Sequence, residues 1–139
     1  MIGIDTNVLL RWLISPDEWA IGSSKSEVAI VEKIISADGG EFFVNSIVVA
    51  ETTWILEQKL KLDRTVICEV VDRLLYSINI TVGEASAVND ARQIYETSNI
   101  GFADCLIARI NRKAGCDYTL TFDKKASQQT GFRNIQAKD

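Results

Sequence analysis

Histidine is absent from this chain and proline occurs once. Without an imidazole, a serine or cysteine hydrolase triad has no base, and the common histidine ligands of zinc are missing. A single proline argues against long irregular linkers. Cysteine is scarce: Cys68, Cys105 and Cys116 form no C-x-x-C pair, and an odd count suits a reducing, cytoplasmic compartment rather than a disulfide scaffold. No G-x-x-x-x-G-K-[ST] loop is present and Gly3 stands alone before its helix, so a nucleotide-binding domain would lack its phosphate cradle. The apolar amino-terminal stretch is interrupted by Asp5 and follows no basic segment, which reads as neither signal peptide nor membrane span. Positive charge is also in deficit. Fifteen Lys and Arg face nineteen Asp and Glu, a net charge of -4, so bulk attraction cannot bring this chain to a nucleic acid. Any such contact has to be local. Arg109, Arg112 and Lys113, with Lys124 and Lys125, supply a basic run for it, although solvated helix faces explain each residue equally well.

What is present suits one globular domain over residues 1–139. At 15.4 kDa a chain buries roughly two thirds of its unfolded surface, and 47% apolar with 24% charged residues is ordinary for a folded protein. Ile2-Gly3-Ile4-Asp5 reads as a strand, with Thr6-Asn7 capping a helix that runs on through Val8 to Leu13. A turn is expected at Ser15-Pro16-Asp17. Residues 24–37 then carry Val28, Val31, Ile34 and Ile35 at helical spacing before Gly39-Gly40 stops them. Residues 41–44 are a second strand, and Ser46 is the expected cap of a helix to about Lys59. Further helices are expected over 63–75, with Ile67, Val70, Val71 and Leu74 inward, over 84–97 and over 102–114. Strands are expected over 78–82 and 118–121. Short strands separated by helices favour a parallel sheet covered on both faces, and ligands in such sheets bind beyond the carboxyl ends of the strands. Asp5 and Asp123 stand at such ends.

Glu51 has Ile47, Val48, Trp54 and Ile55 one turn away, which puts its carboxylate in the middle of an apolar helix face. A carboxylate buried there has to be protonated, hydrogen-bonded, ion-paired or bound to a cation. Asp104 lies in the first turn of its helix among Phe102, Ala103, Leu106 and Ile107. A favourable helix-start acid, or for Asp5 a simple cap, is the bland reading of each. Together, four acids at element ends or inward faces, with no base within a turn of Glu51, point to a divalent-metal site. Oxygen ligands without His or Cys suit Mg²⁺ or Mn²⁺. Such a metal polarises a phosphoryl oxygen or lowers the pKa of water. Asn7 and Thr121 are candidates to orient a carboxylate or touch substrate, or merely to cap a turn and a strand end. Arg11, Arg112 and Lys124 are candidates for holding a phosphate backbone.

Four segments resemble the PIN-domain ribonucleases, and among them the VapC-type toxins of toxin–antitoxin pairs. They are Ile4-Asp5-Thr6-Asn7-Val8-Leu9-Leu10-Arg11, Ser46-x-x-x-x-Glu51-x-x-Trp54-x-Leu56, Phe102-Ala103-Asp104-x-Leu106-Ile107-Ala108 and Thr121-Phe122-Asp123-Lys124-Lys125. Their order and spacing span nearly the whole chain. The resemblance implies a three-layer α/β/α domain with a central parallel sheet and an acidic pocket that binds Mg²⁺ or Mn²⁺ and cleaves RNA. It places the metal acids on Asp5, Glu51, Asp104 and Asp123 and a polar helper on Thr121. It further implies a homodimer silenced by a small antitoxin protein, with no membrane association. Many relatives carry one more acid just ahead of the third, where this chain has Gly101. The expected activity is endoribonucleolytic, with metal-activated water attacking the phosphodiester. A DNA nuclease or phosphatase on the same platform, or a metal-binding adaptor without turnover, are the rival readings.

Overall fold

A computed structural model describes residues 1–14, 25–37 and 39–135. The turn expected at Ser15-Pro16-Asp17 and the expected helix start at Ser24 lie outside the described residues. The chain folds as two compact units, Met1–Ala85 and Ser86–Asp139.

In the first unit a carboxylate starts the first helix. After β1 (Ile2–Gly3), Asp5 adopts extended backbone and accepts from the Val8 amide, so α1 runs Thr6–Leu13. The cap is therefore Asp5 rather than Thr6-Asn7; its carboxylate reaches the free amides from one position earlier. The same shift recurs at α3 (Ser46–Gln58), where Asn45 rather than Ser46 accepts from the Val48 amide at 2.9 Å. Between them lie α2 (Lys25–Ile35) and β2 (Phe42–Val44), and α4 (Arg64–Tyr76) and β3 (Ile80–Val82) follow. The strands are parallel in the order β1-β2-β3, with Ile2 opposite Phe42 and Phe43 opposite Thr81. Each crossover is a pair of helices, as parallel neighbours require.

The inward faces follow helical and strand periodicity. Leu9 and Leu10, Ile35, Val44, Val49 and Leu56, and Ile67 and Val71 are buried. Two expected core positions are not: Ile34 is exposed and Val70 half-buried, whereas Cys68, outside the expected stripe, is buried. At the end of β3, a Cβ on Gly83 would stand 2.9 Å from the Phe43 ring and 3.3 Å from Asn45 Cα, so only hydrogen fits where β3 meets the β2–α3 turn.

The second unit joins α5 (Ala85–Thr97) to α6 (Phe102–Lys113) through the Tyr95 and Phe102 rings, edge to face at 5.4 Å, and through Arg109, which reaches Asp90 at 3.3 Å. Gly115, at φ 102°, ends α6 by letting the amides of Gly115 and Cys116 fold back on the carbonyls of Arg112 and Asn111. Then β4 (Thr119–Thr121) pairs in parallel with β5 (Phe132–Asn134) across α7 (Lys124–Ser127). Neither α7 nor β5 was expected. A four-residue helix is too short to show a period, and Phe132-Arg133-Asn134 is too short to show alternation. None of the three cysteines is in a disulfide; Cys68 and Cys105 are buried and Cys116 is exposed. Among the described residues no helix is long and apolar enough to cross a membrane.

Candidate metal centre

Each unit brings together one pair of the four acids. In the first, Asp5 Oδ1 accepts from the Val8 amide at 3.0 Å, and the next residue, Thr6, donates its hydroxyl to Glu51 Oε1 at 2.9 Å. One hydrogen bond therefore ties α3 to the start of α1 at the carboxyl end of β1. Capping occupies a single oxygen of Asp5, which leaves the other for a ligand.

Glu51 differs from expectation in its surroundings. It is exposed, and so are its helical neighbours Ile47 and Trp54, at 70% and 50%. The helix is apolar on two faces, and the face that packs is Val48, Val49, Thr52, Thr53 and Leu56. Apolar neighbours in sequence did not mean burial because the strip through Ile47, Glu51 and Trp54 is turned to solvent. Thr6 was missed as a polar partner. Its only signal in the sequence was a hydroxyl directly after a strand-end Asp.

Around this corner, Asp5, Asn7, Val8, Arg11, Glu27, Ile30 and Val31 line a groove of about 340 Å³. Arg11 reaches across it: Nε and Nη2 both contact Glu27 Oε2 at 2.9 Å, while Nη1 donates to the Asn7 carbonyl at 2.9 Å. Arg11 is thus held by an acid on α2 and by the first turn of its own helix, and Asn7 takes part through its backbone.

In the second unit Asp104 occupies the first turn of α6 and is half-buried. Burial, and after it the negative charge of Asp123, hold its carboxyl above the ordinary value of 3.8. Asp123 caps α7, its Oδ1 accepting from the amides of Lys125 at 2.8 Å and Ala126 at 3.2 Å. Thr121 Oγ1 accepts from the Asp123 amide at 3.0 Å and so sets the backbone that carries the acid. Gly101, at the N-cap of α6, offers no side-chain acceptor. Arg112 donates to the Cys116 and Asp117 carbonyls at 3.4 and 3.3 Å, closing the end of α6. Lys124 is exposed, with no ion-pair partner among the described residues. Within either unit, among those residues, no third carboxylate or thiol joins a pair.

The donors fit a hard divalent cation. They are carboxylate oxygens fixed by amides and a hydroxyl, and in the Asp104–Asp123 pair burial and then the neighbouring negative charge hold the carboxyl of Asp104 above its ordinary value.

Comparison with known proteins follows the same lines. The PIN domain family matches residues 2–131, and so spans both units. A VapC ribonuclease from Aquifex aeolicus (strain VF5) is 27% identical over 135 residues, covering 95% of this chain and 93% of that protein. No solved structure matches.

Proposed function

This chain belongs to the PIN-domain family, and on that footing we propose that it is a Mg²⁺- or Mn²⁺-dependent endoribonuclease, the toxin of a toxin–antitoxin pair. PIN domains are three-layer α/β/α proteins, and the parallel strands and flanking helices of both units agree with that class. The relative from Aquifex aeolicus supports ribonuclease activity by its name. One feature of the site supports the reading: Asp104 is half-buried and feels the negative charge of Asp123, a setting whose like-charge repulsion a bound divalent cation would offset.

On this reading Asp5, Glu51, Asp104 and Asp123 are the acids that bind the metal. When bound, the cation supplies Lewis acidity to a phosphoryl oxygen and to water. The protein's part is positional. Val8, Lys125 and Ala126 amides orient Asp5 and Asp123, and the Thr6 hydroxyl orients Glu51. Lys124, exposed and with no ion-pair partner among the described residues, is the candidate to hold a phosphate oxygen. In-line attack by water leaves 5′-phosphate and 3′-hydroxyl ends.

Cytoplasmic location, a homodimer and a silencing antitoxin belong to the same proposal. The exposed Ile47 and Trp54 support a protein contact on α3. The groove at Asp5 shares Val8, Ile30 and Val31 with an apolar groove of about 330 Å³, which supports an antitoxin that lays an apolar segment there and points an Arg or Lys at the acids. A monomer mass by light scattering at micromolar concentration would reject the dimer.

The deciding experiment is cleavage of RNA, matched DNA and a phosphomonoester, with and without Mn²⁺, followed by end-group mapping of the products. RNA cut only with metal supports the proposal. Turnover of DNA or the monoester alone would replace it with the rival enzyme, and metal binding without turnover would make the chain an adaptor.

A further inference from the structure

Beside Asp123 the second unit exposes apolar side chains that its core does not use. Strand alternation places Tyr118 and Leu120 on one side of β4 and Thr119 and Thr121 on the other. The threonines are engaged: Thr119 Oγ1 accepts from Asn111 Nδ2 at 3.0 Å, and Thr121 Oγ1 from the Asp123 amide. Tyr118, Leu120 and then Phe122 are 41%, 58% and 72% exposed. Across the pairing, Arg133 of β5 stands opposite Leu120, and its guanidinium lies 3.7 Å from the centroid of the Tyr118 ring. Lys124 and Lys125, both exposed, follow Asp123 and have no ion-pair partner among the described residues.

We propose that the outward side of β4 and β5, built from Tyr118, Leu120, Phe122 and Arg133, is a platform on which bases of single-stranded RNA stack next to the cleaved bond. The inference rests on the ribonuclease reading above and names how its substrate is held. Charge decides the occupant. An apolar strip edged by Arg133, Lys124 and Lys125 matches a polyanion with flat apolar faces, whereas the chain as a whole is acidic. The Arg133 guanidinium over the Tyr118 ring already pairs a cation with an aromatic face, the two kinds of surface on which nucleobases stack. Phe122 directly precedes Asp123, so a base resting on its ring lies in the nucleotides adjoining the site of attack. Stacking is indifferent to base identity at the level of hydrogen bonding, so the platform grips unpaired RNA and excludes duplex, whose bases are already stacked.

The test uses the full chain in Ca²⁺ buffer, with a labelled single-stranded oligoadenylate and the same oligomer carrying abasic positions, read by fluorescence anisotropy. A gel confirms that the probe stays intact. Loss of one stacking side chain weakens binding by about tenfold. Phe122→Leu, which keeps apolar bulk but loses the ring plane, should therefore weaken binding of the oligoadenylate by that factor, while Phe122→Trp retains it. The abasic oligomer should bind the native protein more weakly and respond little to Phe122→Leu. Arg133→Gln should weaken both oligomers. Equal affinity for intact and abasic oligomers, or an unchanged Phe122→Leu in a protein that still cleaves RNA, overturns the platform and leaves the ribonuclease reading standing. A native protein that neither binds nor cleaves RNA overturns both. If Phe122→Leu instead alters the mass in light scattering and leaves oligomer binding alone, the strip is a contact between copies of the chain and the proposal is wrong.

Discussion

The Thr6 hydroxyl donates to Glu51 Oε1 at 2.9 Å, tying the acid on α3 to the residue that follows Asp5. The bond is exposed, so its worth lies in orientation rather than stability. Removing a partner that orients a metal-binding carboxylate commonly costs about tenfold or more in affinity or rate. Thr6→Ala should accordingly lower Mn²⁺ affinity and cleavage by about that factor with an unchanged melting temperature, and Thr6→Ser should restore both. A Thr6→Ala protein as active as the native one would leave the hydroxyl without a role in the reaction.

Asp5→Asn isolates charge from folding. Asn caps a helix about as well as Asp, so α1 should start unchanged, while RNA cleavage should fall at least about a hundredfold through loss of charge stabilisation. Asp104→Asn should give the same loss. Far-UV spectra and cleavage rates of the two purified variants check this, and near-native turnover in either removes that residue from the centre.

Asp104 also predicts a pH dependence. Its folded carboxyl holds a proton more tightly than the ordinary value of 3.8, for reasons of burial first and Asp123 second. A raised folded pKa contributes stability that is complete below the unfolded value and is lost as pH rises through the folded one. Metal-free native protein should therefore lose stability relative to Asp104→Asn as pH climbs from about 4 toward neutrality. Saturating Mn²⁺ should reverse the order at neutral pH. Melts in EDTA and in Mn²⁺ across that range provide the check; parallel curves for the two proteins in EDTA would contradict it.

Thr52 is 3% exposed, and its hydroxyl has no hydrogen-bond partner among the described residues. Its neighbour Thr53 instead bonds the Val49 carbonyl at 2.9 Å. A buried, unpaired hydroxyl is destabilising by about 1 kcal/mol or more, and Val has nearly the same shape. Thr52→Val should raise the melting temperature by a few degrees and leave cleavage as it is. A lower melting temperature would show that the hydroxyl has a partner in solution.

Much of this architecture was legible because long elements repeat their pattern. The stripe Ile67, Val71 and Leu74 fixed the inward face of α4, and Ala87, Val88, Ala91, Ile94 and Tyr95 at helical spacing marked that of α5, where all but the half-buried Ile94 are buried. Strand β5 and helix α7 were not legible, since three or four residues hold less than two periods. The acids were legible as types and positions. Their settings were not. Glu51 reads as buried in sequence, but burial is decided by which of the two apolar faces of α3 meets the rest of the unit, and no local spacing encodes that. Cap positions slipped by one residue at Asp5 and Asn45 for a related reason: Thr and Ser, which follow them, are nearly as good at the same task.

Asp5 and Asp123 are each anchored by backbone amides at the first turn of a helix. These anchors are hydrogen bonds from the chain's own amides, unlike those of a zinc finger, whose ligands gather only when the metal arrives. Supply of the ion then becomes a throttle on the protein rather than a condition of its survival. Depletion should leave an idle, protease-resistant protein that returns to work on resupply without refolding, with a binding heat capacity too small to report any ordering of the chain.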